Sequence, residues 1–369
     1  MSPYTFQVAL PHNVLQNKLI LDMKKIILSL AVLTMAVACN KDHVVDQQTP
    51  EAIRFGNVFV EKATRAAYDF SYNLQKLTAF EVYGTITNKD NQVANIFFQE
   101  NVQRSQEKEG FVWNYSSTNT QYWIPGNTYD FTAIADGNVE SVTEVTVDDN
   151  KMPVTIVLSD ASAQKDILYA DSKGIPYESG EKTVDFTFSH IMSKAKFTVK
   201  NDIATNNGYY YKVTDVKITN AAKAATYTIG TGWGAATGSY ELMFGDIVDD
   251  SKGDDGELMT PPAVEIKYKQ YFESNFERLL IPTNIAAGSK TTVNVEFVCE
   301  LYKDDVLIQT TTKELSTETV FKAGHAYNFS IVLGNPGSPI KFSVYQVNGW
   351  DEDVNDDNSV NADDDVVLQ

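Results

Sequence analysis

The fold is decided by an alternation of apolar and polar residues in Thr183-Val184-Asp185-Phe186-Thr187-Phe188-Ser189-His190. Apolar side chains at every second position point to one face of an extended strand, and the polar ones between them point to the other. The same period returns in Lys194–Lys200, Thr291–Tyr302, Ala326–Leu333 and Ile340–Val344. Because strands with one buried face are typical of antiparallel sheets, the sequence predicts an all-β protein.

Shorter strand patterns precede this region and are separated by turn signals. The predicted strands are Phe80–Ile86, Asn95–Phe98, Gly110–Trp113, Tyr129–Ala135, Val142–Val147 and Val154–Leu158. Polar and glycine-bearing clusters such as Asn88–Asn91 and Pro125–Asn127 lie between them. Many short strands with such turns indicate antiparallel β-sandwiches rather than alternating strands and helices.

The polar stretch 171–182 divides two strand sets of similar size. We therefore expect an N-terminal β-sandwich over residues 66–182 and a C-terminal β-sandwich over residues 183–350. An acidic tail follows at residues 351–369. The chain has 369 residues, which is long enough for two domains of ordinary size.

Cys299 lies in the longest alternating stretch. It shares a face with Val293, Val295, Phe297 and Leu301, so it is predicted to be a buried thiol in a strand. The chain has two cysteines, and the other is Cys39.

An export signal is indicated near the N-terminus. Lys24 and Lys25 precede the apolar run Ile26–Leu33, which is too short to span a bilayer. The small residues Ala36-Val37-Ala38 then precede Cys39, as in a lipobox. Residues 1–38 are therefore expected to comprise upstream residues and a lipoprotein signal peptide. Lipid on Cys39 would tether the exported protein to the outer membrane.

The net charge of −19 argues against nucleic acid as a partner, because such a surface repels phosphate backbones. No set of residues typical of an enzyme active site stands out in the sequence. After Cys39 the histidines are His43, His190 and His325, and neither a nucleophile elbow nor a phosphate-binding glycine loop accompanies them. We therefore predict no enzymatic activity and no required cofactor.

The acidic tail fits the spacing of a calcium-binding loop over residues 353–364. Oxygen-bearing side chains fall at loop positions 1, 3, 5, 7, 9 and 12, which an EF-hand loop requires. The candidate ligands are Asp353, Asn355, Asp357, Ser359, Asn361 and Asp364. Few residues remain for an exit helix, so a solvated acidic tail is the competing interpretation.

Eight stretches occur in the order Ile53–Phe55, Lys62–Ala66, Phe186–His190, Ser193–Phe197, Leu279–Pro282, Phe321–Tyr327, Ile340–Val344 and Val347–Trp350. In this order and spacing they resemble the Bacteroidetes-type fimbrillins, also called type V pilins. The resemblance implies two tandem transthyretin-like β-sandwich domains, export as a lipoprotein and assembly with other fimbrial subunits into a surface fimbria. It further implies trimming after an arginine by a trypsin-like protease, which here places the cut between Arg65 and Ala66.

A strand pattern immediately before that cut supports this interpretation. In Ile53–Val60, the side chains of Ile53, Phe55 and Phe59 are expected to face one way. Residues 39–65 would then form a lipidated tether and first strand that proteolysis removes. Removal would leave unpaired backbone and an apolar groove, which a neighbour's strand can fill. The alternative keeps Ile53–Val60 as an ordinary first strand.

Two functions from different classes compete. The first is a fimbrial subunit, or an accessory or tip subunit, with a role in adhesion. The second is a lipid-anchored surface glycan-binding protein, for which exposed Trp113, Tyr122 and Trp123, or Tyr209–Tyr211, would stack on sugars. A secreted hydrolase is a distant third. The charged tail is a poor strand former, which weakens a shaft role and leaves a tip or accessory role open.

Overall fold

The computed structural model describes residues 50–60, 77–107, 110–135, 144–249, 263–283, 290–347 and 366–367. The strands are β1 Arg54–Val60, β2 Ala79–Thr87, β3 Val93–Glu107, β4 Gly110–Asn114, β5 Asn127–Ala135, β6 Glu144–Val147, β7 Pro153–Leu158, β8 Leu168–Tyr177, β9 Thr183–His190, β10 Ser193–Asn201, β11 Tyr209–Thr228, β12 Gly232–Trp233, β13 Thr237–Gly245, β14 Ile247–Val248, β15 Tyr271–Ser274, β16 Arg278–Leu280, β17 Thr291–Lys303, β18 Val306–Thr319, β19 Ala326–Leu333, β20 Lys341–Val347 and β21 Val366–Val367. Two single 3₁₀ turns, Ser117–Asn119 and Ala161–Ala163, also occur. Over these ranges, no helix has the length and apolar character needed to cross a membrane.

The first sheet is a closed barrel with the strand order β1-β4-β3-β2-β5-β8-β9. Most neighbours are antiparallel, as hairpin connections require. The exception is β1, which runs parallel to β9. These two strands are far apart in the chain, so no hairpin fixes their relative direction. The barrel interior is an aromatic core that includes Phe80, Phe97, Phe131, Phe186 and Phe188.

Two further sheets pack face to face as a sandwich. One has the order β14-β15-β10-β19-β20-β21 with β16 beside β10, and the other has the order β18-β17-β11-β7-β6 with β12 and β13 on β11. Phe197 and Phe329 from the first sheet and Phe297 from the second belong to the same buried cluster. The expected all-β class, with two tandem transthyretin-like β-sandwich domains, is confirmed.

The strand pairing departs from the expected division at residues 171–182. Thr183–His190, which we assigned to the second sandwich, pairs with β1 and β8 and completes the first barrel. Conversely, β6 and β7 come from the first half of the chain and extend the sheet of β11. Alternation predicts which face of a strand is buried, but it does not identify the neighbouring strand, so a division drawn from the sequence need not follow the strand pairing.

Cys299 provides a direct test of the strand register in β17. Its side chain is buried with Val293, Val295, Phe297 and Leu301, as the alternation predicted, and burial raises the thiol pKa to about 12. Thiol reagents attack the thiolate, so native protein should resist labelling until it is unfolded. Cys299→Ala should cost roughly 1 kcal/mol of stability, because little volume is removed. Rapid labelling in native buffer would contradict the register.

Candidate functional site

The candidate site is the first strand, β1, together with the groove that it fills in the barrel. On one side β1 pairs with β9 from Arg54↔Thr183 to Val60↔Phe188. On the other side it meets β4 at Phe55↔Trp113. Because β1 contacts β4 at one position, the barrel is closed by fewer main-chain contacts on this side than on the β9 side.

The chain just before β1 supplements this short seam. The Ile53 amide donates to the Gln121 carbonyl at 2.8 Å, and the Trp123 amide donates to the Glu51 carbonyl at 2.8 Å. The Tyr115 hydroxyl donates to the Ile53 carbonyl at 2.8 Å. Desolvation raises the Tyr115 pKa, so this hydroxyl keeps its proton at neutral pH.

Phe55 anchors β1 in the aromatic core. Its ring centroid lies 5.7 to 6.2 Å from those of Phe80, Phe97, Tyr115, Phe131 and Phe186, and it stacks on Phe186. These spacings fall in the range in which aromatic pairs attract beyond simple burial. Phe55 is therefore the side chain whose removal would open the largest hole in the groove.

A register shift in β1 changes which other side chains enter the barrel. We expected Phe59 to face inward with Ile53 and Phe55. The pairing with β9 is interrupted between Phe55 and Val58, so that Val58 and Val60 are buried while Phe59 is half-buried. The extra residue of a bulge reverses the inward face, which simple alternation cannot predict.

Gly56 makes this bulge sterically feasible. A Cβ atom placed on it would lie 2.5 Å from Asp185 Oδ1 and 2.6 Å from the Thr183 hydroxyl. Asp185 in turn accepts a hydrogen bond from the Asn57 amide at 2.8 Å. The small residue thus lets β1 approach β9 closely at the point where their regular pairing stops.

Withdrawal of this strand would expose both main-chain edges and apolar pockets. The inward side chains of this strand, Phe55, Val58 and Val60, and that of Ile53 just before it are at most 5% exposed. At ~1.5–3 kcal/mol for each buried large apolar side chain, their combined contribution is on the order of 6–12 kcal/mol before ordering costs. The edges of β4 and β9 would also lose their partner. A replacement strand could recover both contributions.

The other residues predicted to form sites lie outside the described residues. These are the lipidation candidate Cys39, the cleavage pair Arg65 and Ala66, and the calcium candidates Asp353, Asn355, Asp357, Ser359, Asn361 and Asp364. Their roles therefore stay predictions. Over the described residues, no group of three or more histidine, cysteine or carboxylate side chains is arranged to hold a metal ion.

The aromatic platform that the glycan-binding alternative would require on Trp113, Tyr122 and Trp123 is not formed. Trp113 is 8% exposed and Trp123 is 3% exposed, because both indoles pack into the barrel core. The Trp123 indole nitrogen also donates to the Lys182 carbonyl at 3.1 Å. Tyr122 is exposed, but the two tryptophans beside it are unavailable for stacking.

His190 has a local structural environment at the end of β9. Its ring is buried, and its Nδ1 lies 2.8 Å from an Asp166 carboxylate oxygen. His325 Nδ1 lies 2.7 Å from the Ala323 carbonyl oxygen in the turn before β19. These contacts tie each imidazole to its neighbouring turn or strand end.

Comparison with known proteins places these features in a family context. The fimbrillin-like family profile matches residues 64–350. A fimbrial protein from Bacteroides vulgatus superposes with a TM-score of 0.59 at 17% identity, covering 80% of this chain and 99% of that one. No curated protein sequence gives a significant match.

Two more distant structures are similar over comparable lengths. A fimbrial assembly protein from Parabacteroides distasonis has a TM-score of 0.39 at 12% identity, covering 81% of this chain and 100% of that one. The fimbrial anchor protein Mfa2 from Porphyromonas gingivalis has a TM-score of 0.40 at 9% identity, covering 82% and 100% respectively.

Proposed function

Because this chain belongs to the fimbrillin-like family, we propose that it is a fimbrial subunit, or an accessory or tip subunit, that assembles by replacing β1 with a strand from a neighbouring subunit. The observation that carries the proposal is the position of β1. It closes the barrel through Phe55 and ends at Val60, shortly before the arginine at position 65.

Two features support strand replacement over a permanent first strand. First, the family match begins at residue 64, beside Arg65 and after the end of β1. Second, β1 contributes inward side chains to a core otherwise formed by later strands. The barrel is thus completed by a strand that lies before the residues matched by the family profile. The groove that this strand fills could accept a strand from another subunit.

In this proposal β1 keeps the subunit inactive during export. Lipid on Cys39 anchors the precursor in the outer membrane, and a trypsin-like protease cuts between Arg65 and Ala66 at the cell surface. Cleavage removes residues 39–65 and with them β1. The exposed groove then binds a strand from another fimbrial subunit, which incorporates the protein into a fimbrium with a role in adhesion.

N-terminal processing provides the direct test of this sequence of events. Mass spectrometry of the membrane-bound precursor should find Cys39 as the first residue, with acyl chains attached. Protein from sheared surface fimbriae should instead begin at Ala66. Assembled subunits that still contain residues 54–60 would contradict removal of β1, whereas an unmodified Cys39 would contradict only the lipid anchor.

We further propose that the acidic tail binds calcium through residues 353–364. Calorimetric titration of the full chain with calcium should then give saturable heat at millimolar metal or below. Asp353→Ala should weaken binding strongly, because it removes the ligand at the first loop position. No calcium-dependent heat in the wild type would leave the solvated-tail interpretation.

A further inference from the structure

A concave pocket lies at the end of the second sandwich remote from the β9–β10 connection. Its volume is about 370 Å³, within the usual range for small-molecule sites. Three chain segments form it: the loop before β11, the turn before β15 and the hairpin between β17 and β18. The lining residues are Asn206, Gly208, Tyr209, Tyr210, Lys267, Tyr268, Gln270, Asp304 and Asp305.

The hairpin side of the pocket is held in a defined shape. Asp304 and Asp305 both have positive φ angles, as the two central residues of a tight hairpin of this kind require. The Asp304 amide donates to the Gly208 carbonyl at 3.0 Å. A Cβ on Gly208 would come within 2.0 Å of Asp304 Oδ1, so glycine is needed for this carboxylate to sit where it does.

Aromatic side chains form much of the remaining wall. Tyr210 stacks on Tyr302 with a centroid distance of 4.9 Å and an interplanar angle of 1°. Its hydroxyl is within 3.4 Å of Asp305 Oδ1, and burial is the main cause that raises its pKa to about 12. Tyr268 is 37% exposed and Tyr209 is half-buried, so the pocket presents tyrosine surface to solvent.

The charges around the pocket balance. The carboxylates of Asp304 and Asp305 line it, and those of Asp202 and Glu265 lie beside it; the lysines there are Lys212, Lys267, Lys269 and Lys303. Lys267 pairs with Glu265 at 3.2 Å, and Lys269 pairs with Asp202. A site of this composition gives no strong net attraction to an anion or to a cation.

Several polar groups at the pocket still have hydrogen-bonding capacity. Within the described part of the chain, the Asp304 carboxylate has no ion-pair or hydrogen-bond partner, and neither does the Asn206 side chain. The Gln270 side-chain Oε1 accepts from the Lys267 main-chain amide at 2.9 Å, which leaves the side-chain NH₂ group to donate. Acceptors and donors therefore lie together beside aromatic surface.

We propose that this tyrosine pocket binds a neutral saccharide. Sugar hydroxyls both donate and accept hydrogen bonds, which suits adjacent carboxylate and amide groups. The aliphatic C–H face of a pyranose ring suits tyrosine surface. A bound saccharide would be a ligand for the adhesive role, so its relevance to adhesion rests on the function proposed above. Saccharide binding itself does not require assembled fimbriae.

Saturation-transfer NMR with the full chain and neutral methyl glycosides tests the proposal. The probes are the methyl glycosides of glucose, galactose, mannose, fucose and N-acetylglucosamine at millimolar concentration, with lysine methyl ester as a cationic probe. At least one glycoside should receive saturation. Tyr268→Ala and Asp304→Asn should each weaken its affinity by about tenfold, equivalent to ~1.4 kcal/mol.

Tyr271→Ala is the matched control, because Tyr271 is an exposed tyrosine of neighbouring β15 that does not line the pocket. It should bind as the wild type does, and thermal melting should show all three variants folded. Transfer to no glycoside, preferential transfer to lysine methyl ester, or equal loss in Tyr271→Ala would overturn the proposal. None of these results bears on strand exchange, which processing and incorporation into fimbriae test separately.

Discussion

Phe55→Ala should destabilise the first barrel of the uncleaved protein by about 3–5 kcal/mol. The ring is surrounded by the aromatic side chains of Phe80, Phe97, Tyr115, Phe131 and Phe186, which cannot all move inward to fill the space it leaves. Denaturant unfolding of the full chain should show the loss, with Trp113 and Trp123 as fluorescent reporters within this barrel. Hydrogen exchange of the β1 amides should also accelerate.

Phe59→Ala is the matched control, since it removes the same side chain from the same strand at a half-buried position. Phe59→Ala should lower the free energy of unfolding by about 1 kcal/mol, because the half-buried Phe59 ring removes less apolar surface from water than the Phe55 ring does. A second control follows from processing. Cleavage after Arg65 should release both variant strands and leave identical barrels, so the three cleaved proteins should unfold alike. If Phe55→Ala and Phe59→Ala lower the free energy of unfolding of the uncleaved protein equally, the bulge that turns Phe59 away from the core would be contradicted.

The sequence predicted the buried faces of strands better than their partners. In β17 and β19 the alternating residues are inward as expected, since each strand has one face against the sandwich core. Alternation contains no information on pairing across long stretches of chain. The parallel contact between β1 and β9 and the transfer of β6 and β7 to the other sheet therefore appear only in the structure.

At the candidate site, the remaining differences between the sequence-based prediction and the structure come from local departures from regular strand alternation. Gly56 marks a bulge, but one glycine in a strand pattern does not show which later residues change face. The glycan-binding alternative requires Trp113 and Trp123 to be exposed, yet both are buried. The tyrosine pocket combines residues from positions 206 to 305, and their proximity depends on three separate connections meeting at one end of the sandwich.

The same contacts that stabilise the precursor make strand removal consequential. Inward side chains at Ile53, Phe55, Val58 and Val60 fill the groove while the subunit is intact. In the proposed mechanism, the cut leaves β1 without a covalent tether so that it can leave its groove, and a neighbouring strand then binds the same edges and pockets. Replacement then needs no refolding of the rest of the barrel, because β4, β3, β2, β5, β8 and β9 keep their pairing with one another.

Arg65→Ala should abolish entry of this subunit into fimbriae. Without arginine at this position, a protease that cuts after arginine has no substrate there, and β1 stays covalently attached beside its groove. The local effective concentration of an attached strand greatly favours it over a strand from another molecule. The measurement compares limited digestion of the purified protein by an arginine-specific protease with the amount of subunit in sheared fimbriae, using strains that express equal levels of each variant.

Lys62→Ala is the matched control for this last prediction, because it removes a nearby basic residue and keeps Arg65. It should be processed at residue 65 and enter fimbriae as the wild type does. Adding wild-type protein cleaved by the same arginine-specific protease to a partner subunit should yield a stable complex, whereas Arg65→Ala treated in the same way should stay monomeric with residues 54–60 retained. Normal incorporation of the Arg65→Ala subunit would contradict assembly by cleavage and strand exchange, while leaving the barrel and sandwich architecture unaffected.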